Sequence, residues 1–233
     1  MRLFTFIKRV LPNRPVSTRV WRGPFRGARI VMNPRDSLRK IFGLYEHELN
    51  DWLEQVLRRV SRVVDVGAND GYFTFGSAAA FRRLGKTGEI IACEPQDRHV
   101  AILRKSVASQ VQTGIRFEIV HAFVGKELKP GMVTLDSLQA AVHDRNDTVS
   151  TLVKIDVEGA EMDVIAGGLS WLQPFNLFVI EVHQERFLDP LRDLFTEQGL
   201  RLVQIDQRPL PLLGRETREE KNWWLISDIS TSP

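Results

Sequence analysis

The sequence predicts an α/β fold: a mostly parallel sheet with helices on both faces and its last strand antiparallel. Three observations carry this. Short apolar runs alternate with amphipathic segments along residues 62–228, the pattern of strands joined by crossover helices. The run Val63-Val64-Asp65-Val66 opens onto the turn Gly67-Ala68-Asn69-Asp70-Gly71, and an amphipathic segment starts at Tyr72-Phe73-Thr74. A second buried run, Glu89-Ile90-Ile91-Ala92-Cys93, ends on an acid, Glu94, just before Pro95.

Taken in order, residues 1–11 place Leu3, Phe6, Ile7, Val10 and Leu11 at helical spacing, and Pro12 and Pro15 end that segment. A helix packed on the domain, a basic amphipathic anchor on an anionic membrane and a targeting peptide all fit this pattern. Residues 16–40 are arginine-rich and predict a short hairpin or an extended arm. Residues 44–60 predict one amphipathic helix with Leu49, Trp52, Leu53, Val56, Leu57 and Val60 as its stripe. Strands are predicted at 62–67, 89–94, 116–124, 151–157, 176–182, 200–206 and 222–228. Helices are predicted at 71–84, 97–110, 135–143, 160–172 and 185–198. The final two strands form an antiparallel pair, because the loop with Pro209 and Pro211 holds no crossover helix. Trp223 and Trp224 then point to opposite faces. Sheets of this kind bind ligands beyond the carboxyl ends of their strands, so the tips at Asp65–Asn69, Glu94 and Asp156–Glu158 face one crevice.

The length of 233 residues suits one domain with a short appendage, read here as a basic arm over 1–40 and a domain over 41–233. The arm holds eleven Lys/Arg and one acid, Asp36, for a charge of +10. The remainder holds twenty-one basic and twenty-eight acidic residues, for −7. Such asymmetry points the arm toward an anionic partner. Cys93 is the lone cysteine, which excludes internal disulfides and cysteine-based metal clusters; its place in a strand predicts a buried, inert thiol. No apolar run reaches the ~18 residues of a membrane span, and no secretory signal is recognisable. A cytoplasmic protein is expected, with residues 1–11 as a candidate membrane contact.

Gly67 and Gly71 permit a tight turn and close backbone approach. The spacing is neither Gly-x-Gly-x-x-Gly nor a phosphate loop, so it suits a ligand with no pyrophosphate to cradle. S-adenosylmethionine is such a ligand. Glu94, 27 residues after Gly67, would accept hydrogen bonds from both hydroxyls of a ribose.

Val64-Asp65-Val66-Gly67-Ala68-Asn69-Asp70-Gly71-Tyr72-Phe73 resembles the first motif of the FkbM family of S-adenosylmethionine-dependent methyltransferases. Leu152-Val153-Lys154-Ile155-Asp156-Val157-Glu158-Gly159-Ala160-Glu161 resembles that family's later hallmark. Weaker matches are Gly43-Leu44-Tyr45-Glu46, Val133-Thr134-Leu135-Asp136-Ser137-Leu138 and Phe178-Val179-Ile180-Glu181-Val182-His183. The resemblance implies a class I methyltransferase, Rossmann-like fold of seven strands with the last reversed. It also implies S-adenosylmethionine as donor and O-methylation of a small molecule, glycan or lipid. One departure stands out: only Gly125 to Gly131 separates Val124 from the Thr134 segment, where relatives carry a longer insertion, and this suggests a more open acceptor pocket.

Methyl transfer rests on alignment of acceptor with donor, helped by a base when the acceptor is a hydroxyl. Asp65, Gly67, Asn69, Gly71, Tyr72, Phe73, Glu94 and Phe123 form the expected cofactor-binding set. Asp65 orients the loop and the donor's amino group, or satisfies loop amides. Asn69 tolerates a left-handed turn or bonds the donor. Lys154, Asp156 and Glu158 alternate on one strand face. Buried Lys154 needs a partner, and Glu181 is the expected one. Asp156, Glu158 and His183 are the candidate catalytic residues, with helix capping as the plainer role for the two acids. Glu161 lies where the helix dipole favours an acid. Asp136 reads as a helix N-cap. Asp156, Glu181 and His183 could converge on a hard cation, though no ligand spacing demands a metal. Two other functions fit less of the sequence. One is methylation of RNA or another polyanion guided by the arm. The other is a non-catalytic binding module retaining the fold.

Overall fold

The computed structural model describes residues 11–110, 114–141, 149–207, 209–210 and 222–230. The chain enters through a hairpin of β1 (Val16–Arg19) and β2 (Arg29–Met32), then a short helix α1 (Leu38–Ile41) and a longer α2 (Asn50–Arg59). The sheet elements follow as β3 (Arg62–Val66), α3 (Tyr72–Arg83), β4 (Gly88–Cys93), α4 (Asp97–Ala108) and β5 (Ile115–Val120). A short pair, β6 (Phe123–Val124) and β7 (Met132–Val133), precedes α5 (Leu135–Ala141) and β8 (Thr151–Ile155). The chain closes with α6 (Glu161–Ala166), β9 (Leu177–Val182), α7 (Leu188–Glu197), β10 (Leu202–Ile205) and β11 (Trp223–Ser227).

Seven strands form the main sheet in the order β5-β4-β3-β8-β9-β11-β10. The first five run parallel, and β11 runs antiparallel to both β9 and β10. Strand order reverses between β3 and β8, and the crevice at such a reversal is where ligands bind in these sheets. Residues of β3, β8 and β9 are buried throughout, because helices cover both faces. Alternation sorts their side chains. Val63, Ile90, Leu152 and Val179 join one core with Trp52 and Val56 of α2 and with Phe75 and Phe81 of α3. Val64, Ile91, Val153 and Phe178 join a second core with Leu135, Val164, Ile165 and Phe195. Trp224 is buried in the first core and Trp223 packs on the second, as alternation predicts.

The arginine-rich segment is a hairpin rather than an extended arm. It is seated on the body, with Val20, Phe25, Ile30 and Met32 buried in the first core. Residues 1–10, which hold most of the predicted amphipathic segment, lie outside the described residues, as does the loop over 211–221 that contains Pro211. The predicted helix over 44–60 begins later. Glu46 takes left-handed backbone angles (φ 49°), which no α-helix accommodates, and α2 starts at Asn50 after one 3-10 turn. The predicted strand over 116–124 is also two pieces. β5 ends at Val120, and Phe123–Val124 leaves the main sheet to pair with Met132–Val133. The helices predicted over 160–172 and 185–198 each divide into an α-helix and a 3-10 turn. The helix α5 is capped by Thr134 rather than Asp136. Thr134 Oγ1 accepts from the Ser137 amide at 3.1 Å, and Ser137 Oγ accepts from the Thr134 amide at 3.0 Å. Asp136 accepts from Ser170 Oγ instead.

Candidate functional site

The glycine loop joins β3 to α3 at the switch point. Gly67 has φ +79°, and a Cβ there would lie 1.9 Å from the Asp156 carbonyl oxygen, so the chain's own β8 tip demands glycine. Gly71 has φ +84°, and its Cβ would strike the Phe75 ring at 2.5 Å. The close approach that these glycines permit is therefore to protein. Asn69 is left-handed (φ 49°), the conformation that an asparagine tolerates.

Hydrogen bonds tie this loop to its neighbours. The Gly67 and Ala68 amides both donate to the Cys93 carbonyl at 3.0 Å. Glu94 is buried. One of its oxygens accepts from the Asn69 amide at 2.8 Å and the other from the Gln96 amide at 2.9 Å. Oε2 keeps a second acceptor position, while His99 Nδ1 lies 3.6 Å from Oε1. Asp70 accepts from the Tyr72 amide at 3.1 Å and pairs with Lys40 at 2.7 Å. Tyr72 and Phe73 are buried, with both rings edge-on to Phe25 of the hairpin loop, and Tyr72 also meets Tyr45. Phe123 sits on β6, outside the main sheet and three residues beyond the end of β5, and is largely exposed. Cys93 is buried as expected, and burial pushes its thiol pKa up.

Lys154 is the electrostatic centre. Its expected partner was Glu181, and the structure corrects this. Parallel register sets Lys154 beside Asp65, and Glu181 lies opposite Trp224 instead. The ammonium lies 3.3 Å from Asp65 Oδ1 and 3.1 Å from Asp156 Oδ2, and it donates to the Gly67 carbonyl at 3.0 Å. Burial opposes its charge, but Asp156, Asp65 and Glu46 outweigh that, and the pKa is raised. Asp65 is fully buried, and its other oxygen accepts from Thr74 Oγ1 at 2.5 Å. Its contacts are thus a hydroxyl and an ammonium rather than loop amides. Glu181 accepts from Asn222.

The tips of β8 and β9 bring the candidate catalytic groups together. His183 Nδ1 lies 2.7 Å from Glu161 Oε1, and Nε2 lies 3.8 Å from Asp156 Oδ1. The Gly159 amide also donates to Glu161 Oε1 at 2.9 Å. Glu161 is fully buried, and its Oε2 has no hydrogen-bond partner among the described residues. Burial alone would lower the His183 pKa, but the Glu161 hydrogen bond and the charges of Asp156, Glu161 and Glu158 raise it. Burial alone would raise the Glu161 pKa, and the bonds from His183 and Gly159 lower it instead. Glu158 is exposed on a left-handed residue (φ 39°) beside this pair.

Ligand atoms of Asp156, Glu181 and His183 lie within 4.8 Å of one another, so these three could hold a hard cation. The Lys154 ammonium already sits against Asp156, supplying part of the charge an ion would bring. Glu161, expected as a dipole companion, is instead a buried partner of His183, because the β8–α6 turn folds against β9. The Lys40–Asp70 pair and the placement of Tyr45 on Tyr72 carry no local signal beyond the family-like pattern of Gly43-Leu44-Tyr45-Glu46.

Residues 103–202 match the family model described as the methyltransferase FkbM domain. That stretch contains the later hallmark and His183 but not the glycine loop. Among solved structures, methyltransferase FkbM from Methylobacillus flagellatus KT aligns with a TM-score of 0.53 at 15% identity, covering 72% of this chain and 44% of that one. The chain thus spans less than half the length of that protein. The protein yhhF from Escherichia coli, a candidate methyltransferase, aligns with a TM-score of 0.53 at 14% identity, covering 91% and 98% of the two chains. No curated protein matches. The chain carries an FkbM methyltransferase domain match on a class I methyltransferase fold, with the last strand of the sheet reversed.

Proposed function

We propose that the chain transfers a methyl group from S-adenosylmethionine to a hydroxyl of a small molecule, glycan or lipid. The observation that carries this reading is the convergence of four strand tips at the switch point. Gly67–Asn69, Glu94, Asp156–Glu158 and His183 are joined there through Lys154 and the Asn69–Glu94 bond. The chemistry of the set fits the donor. Asp65, Asp70, Glu94, Asp156, Glu158, Glu161 and Glu181 outnumber Lys40, His99, Lys154 and His183, so the crevice favours a cationic ligand and disfavours a pyrophosphate.

When bound, the donor supplies a methyl carbon activated by its sulfonium. Glu94 would hold the ribose through the acceptor position its amide bonds leave free on Oε2. The Asn69 side chain would bond the donor's amino-acid end. Lys154 fixes the loop carbonyl and Asp156 as one unit. Glu161 holds the His183 ring by Nδ1–H, so Nε2 is the atom that takes the acceptor's proton, with Asp156 and Glu158 orienting the hydroxyl.

Calorimetric titration of S-adenosylmethionine and S-adenosylhomocysteine into wild type and Glu94→Ala tests the donor half. Binding to wild type with at least tenfold weaker binding to the variant is expected, and a thermal melt of both separates lost affinity from lost fold. No binding to wild type would sink the reading. Donor binding without methylation across sugar, lipid and small-alcohol panels would favour a binding module.

A further inference from the structure

We propose that the outer face of the β1–β2 hairpin, with Arg19, Arg29, Arg22 and Trp21, docks on an anionic phospholipid surface. The strand register carries the argument. Arg19 and Arg29 are paired directly opposite each other, and both are exposed. Like charges opposed on an antiparallel ladder are destabilising unless an anion neutralises them. Neither arginine, nor Arg22, pairs with a carboxylate among the described residues. Arg26, by contrast, is occupied by Glu54 at 2.5 Å.

Trp21 lies two residues beyond Arg19, beside Arg22, and 64% of it is exposed. Its backbone is fixed, because its amide donates to the Ile41 carbonyl at 2.8 Å and its ring meets Phe42 edge-on at 5.3 Å. The loop is pressed close: a Cβ on Gly43 would fall 2.2 Å from the Arg22 carbonyl oxygen. A rigidly held, exposed indole beside cations matches the chemistry of a headgroup interface. Nucleic-acid platforms stack successive bases on several aromatics, and Trp21 is the one large exposed apolar side chain of the described hairpin.

Charge sets the orientation. Residues 11–40 hold eight Lys/Arg and one acid, for +7, and residues 41–233 sum to −7, so an anionic bilayer attracts the hairpin side and repels the body. Tyr45, two residues past Gly43, packs on Tyr72 at the start of α3. Docking would therefore set the bilayer beside the glycine loop.

The test is co-sedimentation of the full chain with vesicles of phosphatidylcholine and phosphatidylglycerol, against phosphatidylcholine alone, at low and physiological salt. Binding to the anionic vesicles that weakens with salt is expected. Arg19→Gln/Arg29→Gln should weaken it roughly 30-fold, since each cation near such a surface contributes about fivefold. Trp21→Ala should weaken it further, with unchanged thermal melts in both variants. Three results would overturn the proposal. One is absence of anionic-vesicle binding. Another is an equal loss in Arg104→Gln/Lys105→Gln, exposed on α4, because general charge would then carry it. The third is binding to single-stranded RNA without vesicle binding, lost in the hairpin variants.

Discussion

The β3–β4 half of the crevice and its β8–β9 half are built on opposite plans. On the β3–β4 side the groups serve the chain itself. Asp65 faces Thr74 and Lys154, Glu94 holds two amides, and Gly67 and Gly71 make room for Asp156 and Phe75. On the β8–β9 side, Asp156 and His183 are half-buried and Glu158 is exposed. His183 Nε2 lies 3.8 Å from Asp156 Oδ1, beyond hydrogen-bond reach. The contrast teaches a division of labour: one half fixes the shape of the loop, and the other leaves polar atoms for chemistry. Lys154 spans both, with Asp65 and the Gly67 carbonyl on one side and Asp156 on the other.

The hardest blow to this division falls at the span. Lys154→Met leaves Asp65 fully buried without its cation, and a stability loss of roughly 3–5 kcal/mol is expected in urea unfolding. Asp65→Asn on that background should recover part of it. A loss under about 1 kcal/mol would mean the two halves stand independently.

A smaller effect is expected from Gly67→Ala, which adds a clash with the Asp156 carbonyl to an unfavourable φ, for about 2–3 kcal/mol. Gly85→Ala is the control. Gly85 also has a positive φ (+66°) but nothing within 4 Å of its Cβ, so it should cost only about 1 kcal/mol by the same measurement. Equal losses would show that backbone strain, not the meeting of β3 and β8, dictates the glycine.

The smallest effect sharpens the comparison on its chemical side. The His183 pKa is raised, so its contribution to stability is fully present below its ordinary value of 6.5 and is lost as pH rises through the higher folded value. The Glu161 pKa is lowered, so its contribution is present above its ordinary 4.5 and is lost as pH falls through the folded value. Glu161→Gln should flatten both slopes and bring the His183 titration, followed by NMR of the imidazole, back toward 6.5. An unchanged midpoint would remove Glu161 as the group that sets His183.

Features that rest on neighbours close in the chain were legible from the residues alone. Continuous apolar runs marked the buried strands, alternation sent Trp223 and Trp224 to opposite faces, and the left-handed tolerance of Asn69 and of glycine fitted the turn after β3. The loop, the acid-tipped β4 and the polar tip of β8 were all legible before the fold was known. Which charges meet was set by strand register. Lys154 lies 89 residues from Asp65 and 27 from Glu181, yet register across adjacent parallel strands pairs it with the more distant residue. Burial of Glu161, the seating of Trp21 and the departure of Phe123 from the sheet likewise depend on neighbours remote in sequence. Coulomb and hydrogen-bond energies act over a few ångströms of space, and separation along a chain says little about that distance.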